Sequence, residues 1–204
     1  MYLIAFEGID ASGKETQASL LQNALTARGY RVMSVSFPRY NTHIGQLIKG
    51  WLLGKYDLSV EAFHMLLEAD RQDFMRYVEV WERDGFDFLI LDRFTLSNLA
   101  FGMAKGLDVD WLISLQKYVR KPDITFVLDI TAETSRERKG EGRDRHEADS
   151  QLLSKARTAY QILAERLSKV DDSDQYIVMI DADQAEPKLI HEAVMSHLES
   201  LVLL

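Results

Sequence analysis

Five short runs of hydrophobic residues recur along the chain, and each is separated from the next by stretches with apolar residues every three or four positions. The runs are typical of β-strands covered on both faces, and the spaced patterns are typical of amphipathic helices. The predicted strands are residues 3–6, 31–37, 86–91, 124–130 and 176–180. The predicted helices are 14–28, 44–53, 60–82, 95–105, 108–119, 150–169 and 187–203. A further predicted helix begins at 131 and breaks at 136, where a polar, charge-dense stretch begins. Ser59 is the expected N-cap of the third helix.

This alternation predicts an α/β fold with a five-stranded parallel sheet and helices on both faces. The 204 residues suffice for one sizeable core, so we expect a single domain over 1–204. The formal charge of −8 argues against binding a nucleic-acid polymer. There is no cysteine, which excludes disulfides and thiolate metal sites and is compatible with a cytoplasmic protein. No leader and no apolar run of about 18 residues is evident, so we expect no membrane association.

The first predicted strand leads into a glycine-containing turn that matches the phosphate-binding pattern G-x-x-x-x-G-K, with Gly8, Gly13 and Lys14 at the fixed positions. Glycines let backbone N–H groups turn inward and form a nest for phosphate oxygens. The following helix directs its positive N-terminal end to the same place, and Lys14 adds a full charge. An ordinary strand–turn–helix is the alternative. Glu15 stands where a magnesium-binding Ser or Thr normally follows the lysine, and Thr16 is the next hydroxyl.

Polar residues follow the predicted strands at the edge where ligands bind in parallel sheets, beyond the strands' carboxyl ends. This rule gathers residues 8–16, 38–40, 92–93 and 181–183. Asp92 is suited to hold magnesium directly or through water, and its alternative is a helix N-cap. The fork of Arg93 suits phosphates, and its alternative is a surface ion pair.

A charge-dense stretch, residues 136–149, carries basic residues between acidic ones, with Gly140 and Gly142 to make it flexible. Its basic residues are Arg136, Arg138, Lys139, Arg143 and Arg145. One interpretation is a lid that closes over a nucleotide and places an arginine on the transferring phosphoryl group. The other is a solvated, salt-bridged loop. Similarly, Arg71 alone is more typical of a solvated helix charge, and Phe101 alone of a core residue.

Taken together, these motifs resemble the thymidylate kinases. The resemblance covers nearly the whole chain, in that family's order and spacing, and is carried by FEGIDASGKETQ, SFPRYNTHIGQLI, EADRQDF, LDRFTLSNLAF and GRDRHEAD. It implies the P-loop nucleotide kinase architecture, with a monophosphate-binding region at about 37–75 and a lid at about 136–149. It also implies transfer of the γ-phosphoryl group of ATP to dTMP, a requirement for Mg²⁺, and a homodimer.

The resemblance also implies roles for individual positions. The implied catalytic residues are Lys14, Arg93, Arg143 and Asp10. The implied ATP-binding residues are Gly8, Ile9, Asp10, Ala11, Ser12, Gly13, Lys14, Glu15, Thr16, Arg138 and Ala182. The implied dTMP-binding residues are Asp10, Phe37, Pro38, Arg39, Tyr40, Leu67, Arg71, Arg93, Ser97, Asn98, Phe101 and Tyr160. The implied metal-binding residues are Asp92, Glu15 and Asp10.

Within the dTMP set, the family implies that Arg39 or Tyr40 holds the phosphate and that Arg71 and Asn98 bind the thymine edge. Phe101 would crowd the sugar 2′ position and so favour deoxyribose. Besides Glu15, three positions depart from common family members. Ala11 replaces a basic loop residue of some members, which leaves the catalytic arginine to the lid. Leu67 replaces a thymine-stacking aromatic residue, and Phe94 follows Asp92-Arg93 where Tyr or His is commoner.

Two rival functions are compatible with the sequence. One is phosphorylation of another nucleoside monophosphate or of a deoxynucleoside, for which Leu67 gives a reason. The other is a nucleotide-binding module without catalysis, for which Glu15 gives a reason.

Overall fold

The computed structural model describes residues 1–139, 150–168 and 176–201. Its centre is a five-stranded sheet. The strands are β1 (Tyr2–Glu7), β2 (Val32–Ser36), β3 (Phe88–Asp92), β4 (Ile124–Asp129) and β5 (Tyr176–Asp181). They lie in the order β2-β3-β1-β4-β5, and every neighbouring pair is parallel. The predicted parallel sheet of five strands is confirmed.

Eight helices lie in the described part of the chain. They are α1 (Lys14–Ala27), α2 (His43–Leu52), α3 (Val60–Arg83), α4 (Thr95–Ala104), α5 (Val109–Leu115), α6 (Ala132–Lys139), α7 (Ser150–Ser168) and α8 (Pro187–Ser200). Ser59 caps α3 as predicted, because its hydroxyl accepts the N–H of Ala62 at 3.2 Å. Thr42 and Asp108 cap α2 and α5 in the same way. None of the described helices is both long and apolar enough to cross a membrane.

Alternate residues of β1 enter two different apolar clusters, which explains its unbroken hydrophobic run. Ile4 and Phe6 pack in the cluster that includes Leu21 of α1 and Val194 of α8. Leu3 and Ala5 pack in the cluster that holds Phe74 and Val78 of α3. The sheet is therefore covered on both faces.

Several predicted boundaries differ from the structure by one or more residues, and two of these differences are informative. The helix predicted over 108–119 ends at Leu115, and the next residues continue in turns in which Gln116 donates to Ile113 and Val119 to Gln116. Val119 is buried in the cluster with Phe74, so its apolar character reflects the core and not helical periodicity. Conversely, α6 continues to Lys139, beyond the predicted break at 136. The remaining lid residues, 140–149, lie outside the described residues, so the lid stays a prediction.

The strand register aligns the ends of the central strands. Phe6 of β1 lies beside Asp92 of β3, and Ser36 of β2 lies on the other side of Asp92. Asp129 of β4 likewise pairs with Asp181 of β5. The loops that leave these positions therefore begin at one edge of the sheet, as the sequence predicts.

Candidate active site

The phosphate-binding motif forms the turn between β1 and α1. Gly8 and Gly13 have φ angles of 135° and 96°, values that L side chains rarely adopt, and Ala11 is left-handed at 57°. A Cβ atom on Gly8 would lie 2.5 Å from the carbonyl oxygen of Leu128, so glycine is also needed for close approach to β4. The cap position of α1 is occupied by Gly13, which has no side chain to cap the helix. Backbone N–H groups at the start of a helix attract anions.

Lys14 folds back over this turn and is almost fully buried. Its Nζ donates to the carbonyl oxygen of Ile9 at 2.7 Å and to Ser12 Oγ at 3.2 Å. Burial, with the positive charge of Arg93 nearby, lowers the pKa of Lys14 to about 7. An anionic phosphate bound in the turn would raise this pKa again, because a nearby negative charge favours the protonated ammonium.

Arg93 connects the turn to the end of β3. Its Nη1 donates to the carbonyl oxygen of Gly8 at 2.9 Å, and its Nη2 pairs with the carboxylate of Asp10. The backbone of Arg93 is left-handed, with φ at 60°, a strain that proteins commonly hold at functional sites. The Arg93 side chain is 17% exposed, which does not fit the surface ion pair considered as its alternative.

Asp92 is not the N-cap of the helix that follows it. The residue at the cap position of α4 is Phe94, and its side chain makes no capping hydrogen bond. The cap comes from Glu7, whose Oε1 accepts the N–H groups of Phe94 at 2.8 Å and Ser97 at 3.1 Å. This leaves Asp92 free for another role and removes the alternative considered for it.

Glu7 is a site residue that sequence reasoning missed. Besides capping α4, it accepts hydrogen bonds from the hydroxyl groups of Ser97 and Tyr160, and it is fully buried. It fixes α4, which carries Ser97, Asn98 and Phe101, against the strand that leads into the phosphate turn. The available signal was a carboxylate that ends an apolar strand just before Gly8.

A cavity of about 480 Å³ opens between the phosphate turn and helices α3 and α4. Twelve residues of the predicted site line it, together with Ser36, Leu52 and Phe63, which were not predicted. The twelve are Asp10, Glu15, Phe37, Pro38, Tyr40, Leu67, Arg71, Asp92, Arg93, Ser97, Asn98 and Phe101. Arg71 is only 2% exposed, so it is not the solvated helix charge considered as its alternative. Phe101 is both buried and part of the cavity wall.

Two predicted dTMP residues do not line this cavity. The guanidinium of Arg39 is bound by the carboxylates of Asp70 and Asp73, at 3.0 and 2.8 Å. Of the pair Arg39 and Tyr40, the cavity therefore presents Tyr40. Tyr160 lies behind Ser97, with 2.8 Å between the two hydroxyl oxygens, and burial together with the charge of Glu7 raises its pKa.

On the other side of the phosphate turn, Arg138 connects α6 to the end of β5. Its Nη2 donates to the carbonyl oxygens of Ala182 at 3.0 Å and Asp183 at 2.8 Å. Its Nη1 reaches the carbonyl oxygen of Ala11 at 3.4 Å. The predicted ATP residues Arg138 and Ala182 therefore lie beside the turn. Arg143 lies outside the described residues. The binding roles of all these residues stay predictions.

The carboxylates near the turn suit a metal that a nucleotide brings with it. In the described part of the chain, no three His, Cys, Asp or Glu residues form a group that could hold a metal ion by themselves. Asp92 Oδ1, however, is buried and has no hydrogen-bond partner among the described residues. Asp10 and Glu15 line the same cavity. Because Mg²⁺ at phosphates usually needs only one or two carboxylates, this donor set fits it.

The parallel sheet, the phosphate turn and the adjoining cavity define an α/β protein of the P-loop nucleotide kinase class. The family model described as thymidylate kinase matches residues 6–194. The chain belongs to the thymidylate kinase family.

Individual relatives agree with this placement. The chain is 33% identical to a thymidylate kinase of Arabidopsis thaliana, over 97% of this chain and 72% of that protein. It is 32% identical to a probable thymidylate kinase of Thermococcus kodakarensis, over 98% of each. A solved structure of thymidylate kinase from Candida albicans, reported for its broad substrate specificity and a novel structural element, superimposes with a TM-score of 0.84 at 29% identity. The match covers 99% of this chain and 92% of that one.

Proposed function

We propose that this protein transfers the γ-phosphoryl group of ATP to dTMP and releases dTDP and ADP. The observation that carries the proposal is the position of Arg93. It donates to Gly8 in the phosphate turn and lines the same cavity as Arg71 and Asn98. One guanidinium therefore adjoins both a place for the donor phosphates and a pocket of nucleotide size.

The phosphate turn accounts for the donor side of the reaction. The N–H groups at the start of α1 and the ammonium of Lys14 attract the β- and γ-phosphates of ATP. Bound phosphate competes with the carbonyl oxygen of Ile9 for Lys14 Nζ and favours the charged ammonium. Arg138 and Ala182 flank the place where the adenine would pass.

The cavity accounts for the acceptor side. Tyr40 and Arg93 would hold the monophosphate, Arg71 and Asn98 the base, and Leu67 would offer the base an apolar face. Phosphoryl transfer depends mainly on positioning and charge stabilisation. The attacking oxygen of dTMP is already anionic at neutral pH, so no strong general base is required.

Arg93 must exchange partners for this chemistry. In the structure it pairs with Asp10, and in the complex it would bridge the phosphates of donor and acceptor while Asp10 orients that region. Arg143 would approach from the lid, and an arginine in this role contributes about 10³- to 10⁵-fold in rate.

A magnesium ion fits beside Asp92, whose Oδ1 is buried and unpaired among the described residues, with Asp10 and Glu15 as further oxygen donors. When bound, Mg²⁺ neutralises charge on the β- and γ-phosphates. The family resemblance also supports a homodimer, and the lack of cysteine is compatible with a cytoplasmic location. We include both in the proposal. Light scattering after size-exclusion chromatography tests the dimer.

An ADP-release assay across dTMP, dUMP, dCMP, dGMP and thymidine tests the proposed function. We expect the highest kcat/KM with dTMP. A higher kcat/KM with another acceptor would identify that acceptor, and not dTMP, as the substrate. ATP binding without turnover on any acceptor would overturn the kinase assignment. Single Lys14→Met, Arg93→Met and Arg143→Met variants then test the mechanism. Near-normal turnover in all three would reject it.

A further inference from the structure

Three buried polar side chains are connected at the base end of the cavity, and the proposed mechanism uses only one of them, Asn98. His64 and Glu68 are on one face of α3, and Asn98 is on α4. His64 is fully buried, Glu68 is 4% exposed and Asn98 is 1% exposed. Only Asn98 reaches the cavity wall. Burying three such polar groups is costly unless each has a defined partner.

The hydrogen bonds of Asn98 use most of what its amide can offer. Its Nδ2 donates to Glu68 Oε2 at 3.0 Å and to the carbonyl oxygen of His64 at 3.3 Å. Its Oδ1 lies 2.7 Å from His64 Nδ1. An amide has two N–H donors and two acceptor lone pairs. Both donors are therefore engaged, and what remains for a ligand is the second lone pair of Oδ1.

The opposite orientation of the Asn98 amide is disfavoured by its surroundings. Rotating the amide by 180° would place Oδ1 against the carboxylate of Glu68 and the carbonyl oxygen of His64, and all three are acceptors. It would also turn an N–H group toward His64 Nδ1. Burial lowers the pKa of His64 to about 4, so the ring is neutral at pH 7 and carries one proton. That proton lies on Nδ1, since Asn98 Oδ1 can only accept.

We propose that Glu68 and His64 are positioning residues that hold Asn98 as a hydrogen-bond acceptor, so that the site favours a pyrimidine with a donor at N3. This inference rests on the proposed function, because it concerns recognition of the same monophosphate. It assigns base selectivity to two residues that do not line the cavity.

Arg71 supplies the complementary half of the pattern. Its guanidinium only donates, and it lines the same cavity as Asn98. Its Nη1 donates to the carbonyl oxygen of Leu67 at 2.6 Å, which holds the group at the wall. A donor from Arg71 and an acceptor from Asn98 match the C4 carbonyl and the N3–H of thymine or uracil. Cytosine presents a C4 amino group and a bare N3, the reverse of both.

An exchange of donor and acceptor between positions 68 and 98 tests the inference. In Glu68→Gln the side chain keeps its shape but can either accept from or donate to Asn98. Both orientations of the Asn98 amide then have a partner at position 68, so its orientation is no longer fixed. In Asn98→Asp two carboxylates face each other. The double variant Glu68→Gln/Asn98→Asp restores a donor–acceptor pair with the roles reversed and keeps the total charge. It loses only the 3.3 Å contact with the carbonyl of His64.

We would measure kcat/KM for dTMP, dUMP and dCMP, together with kcat and the KM for ATP. In Glu68→Gln the preference for dTMP over dCMP should fall roughly 10- to 100-fold, the range expected when a buried hydrogen bond is misdirected. The change should appear in the KM for dTMP, and dUMP should follow dTMP because the two share the same edge. The double variant should recover part of the preference, a non-additive result that indicates direct coupling.

The outcomes separate this inference from the proposed function. If the unmodified protein makes no dTDP, the proposed function fails and the inference falls with it. If it does make dTDP and Glu68→Gln keeps the preference, the inference alone fails. Equal losses for dTMP, dCMP and ATP would mean a purely structural role and would also overturn it. Should Glu68→Gln not fold, the double variant decides, since a preference below one-tenth of the original contradicts the pairing.

Discussion

Arg93 donates a hydrogen bond of 2.9 Å to the carbonyl oxygen of Gly8. These residues are 85 positions apart, yet the parallel register of β1 and β3 brings their strand ends side by side. The bond fixes the position of the phosphate turn relative to the start of α4. The proposed donor and acceptor sites are therefore aligned before either nucleotide binds, as phosphoryl transfer requires.

The first prediction concerns Glu7, which caps α4 from another element. Glu7→Leu leaves the N–H groups of Phe94 and Ser97 without their acceptor, and it should lower the free energy of unfolding by about 3 kcal/mol. Glu7→Gln keeps an acceptor and should cost less. Urea unfolding measures both. Glu186→Leu is the matched control, because Glu186 occupies the cap position of α8, is exposed and makes no capping hydrogen bond. A loss no larger in Glu7→Leu than in this control would contradict the capping role.

The second prediction concerns the charge of Lys14. Its pKa of about 7 lies below the ordinary 10.5, so most ligand-free molecules carry a neutral Lys14 at pH 8. Phosphate restores the charged form, so ATP binding at pH 8 should take up a large fraction of one proton. Calorimetry in two buffers of different ionisation enthalpy measures this uptake. Lys14→Met should lack it, and equal uptake in both proteins would show that Lys14 does not titrate.

The third prediction concerns Asp92 and magnesium. Asp92→Asn removes the charge of a carboxylate whose Oδ1 is buried without a partner in the described chain, so the Mg²⁺ concentration for half-maximal turnover should rise about tenfold or more. Asp181→Asn is the matched control, because Asp181 also ends a strand at this edge of the sheet but is exposed. A magnesium requirement unchanged in Asp92→Asn would exclude the residue from the metal site.

The fourth prediction separates Arg39 from Tyr40. Arg39 pairs with the almost fully buried Asp70, so Arg39→Met should destabilise the protein by about 3–5 kcal/mol, the typical cost of breaking a buried pair. The exposed pair of Arg28 and Glu199 gives the control, since Arg28→Met should cost about 1 kcal/mol or less. Tyr40→Phe should raise the KM for dTMP with little change in stability. If Arg39→Met changed only the KM, Arg39 would be the phosphate ligand instead.

Most of the fold could be predicted because its central strands are buried on both faces. The runs that became β1, β3 and β4 are nearly unbroken in apolar residues, and length distinguishes them from the helices. The predicted end of α5 was wrong because Val119 packs in the core although it lies in a turn after the helix. Periodicity alone does not reveal which apolar residue belongs to a helix and which to the packing around it.

The site could be predicted where the chemistry is local in sequence. Gly8, Gly13 and Lys14 form a motif, and Asp92 with Arg93 follows a strand. Partners from distant segments could not be found in this way. Arg39 and Asp70 are 31 positions apart, and nothing in one sequence pairs them. His64 and Glu68 resemble ordinary polar positions of an amphipathic helix, although their spacing with Arg71 does place all three on one face.

The central claim is that the phosphate turn and the adjoining cavity hold ATP and dTMP side by side and that the phosphoryl group passes directly between them. Phosphorus NMR of a mixture of ATP, dTMP, Mg²⁺ and the protein tests it most directly. We predict that ADP and dTDP appear in equal amounts and that inorganic phosphate does not accumulate. ADP formed together with inorganic phosphate while dTMP remains unchanged would contradict the account.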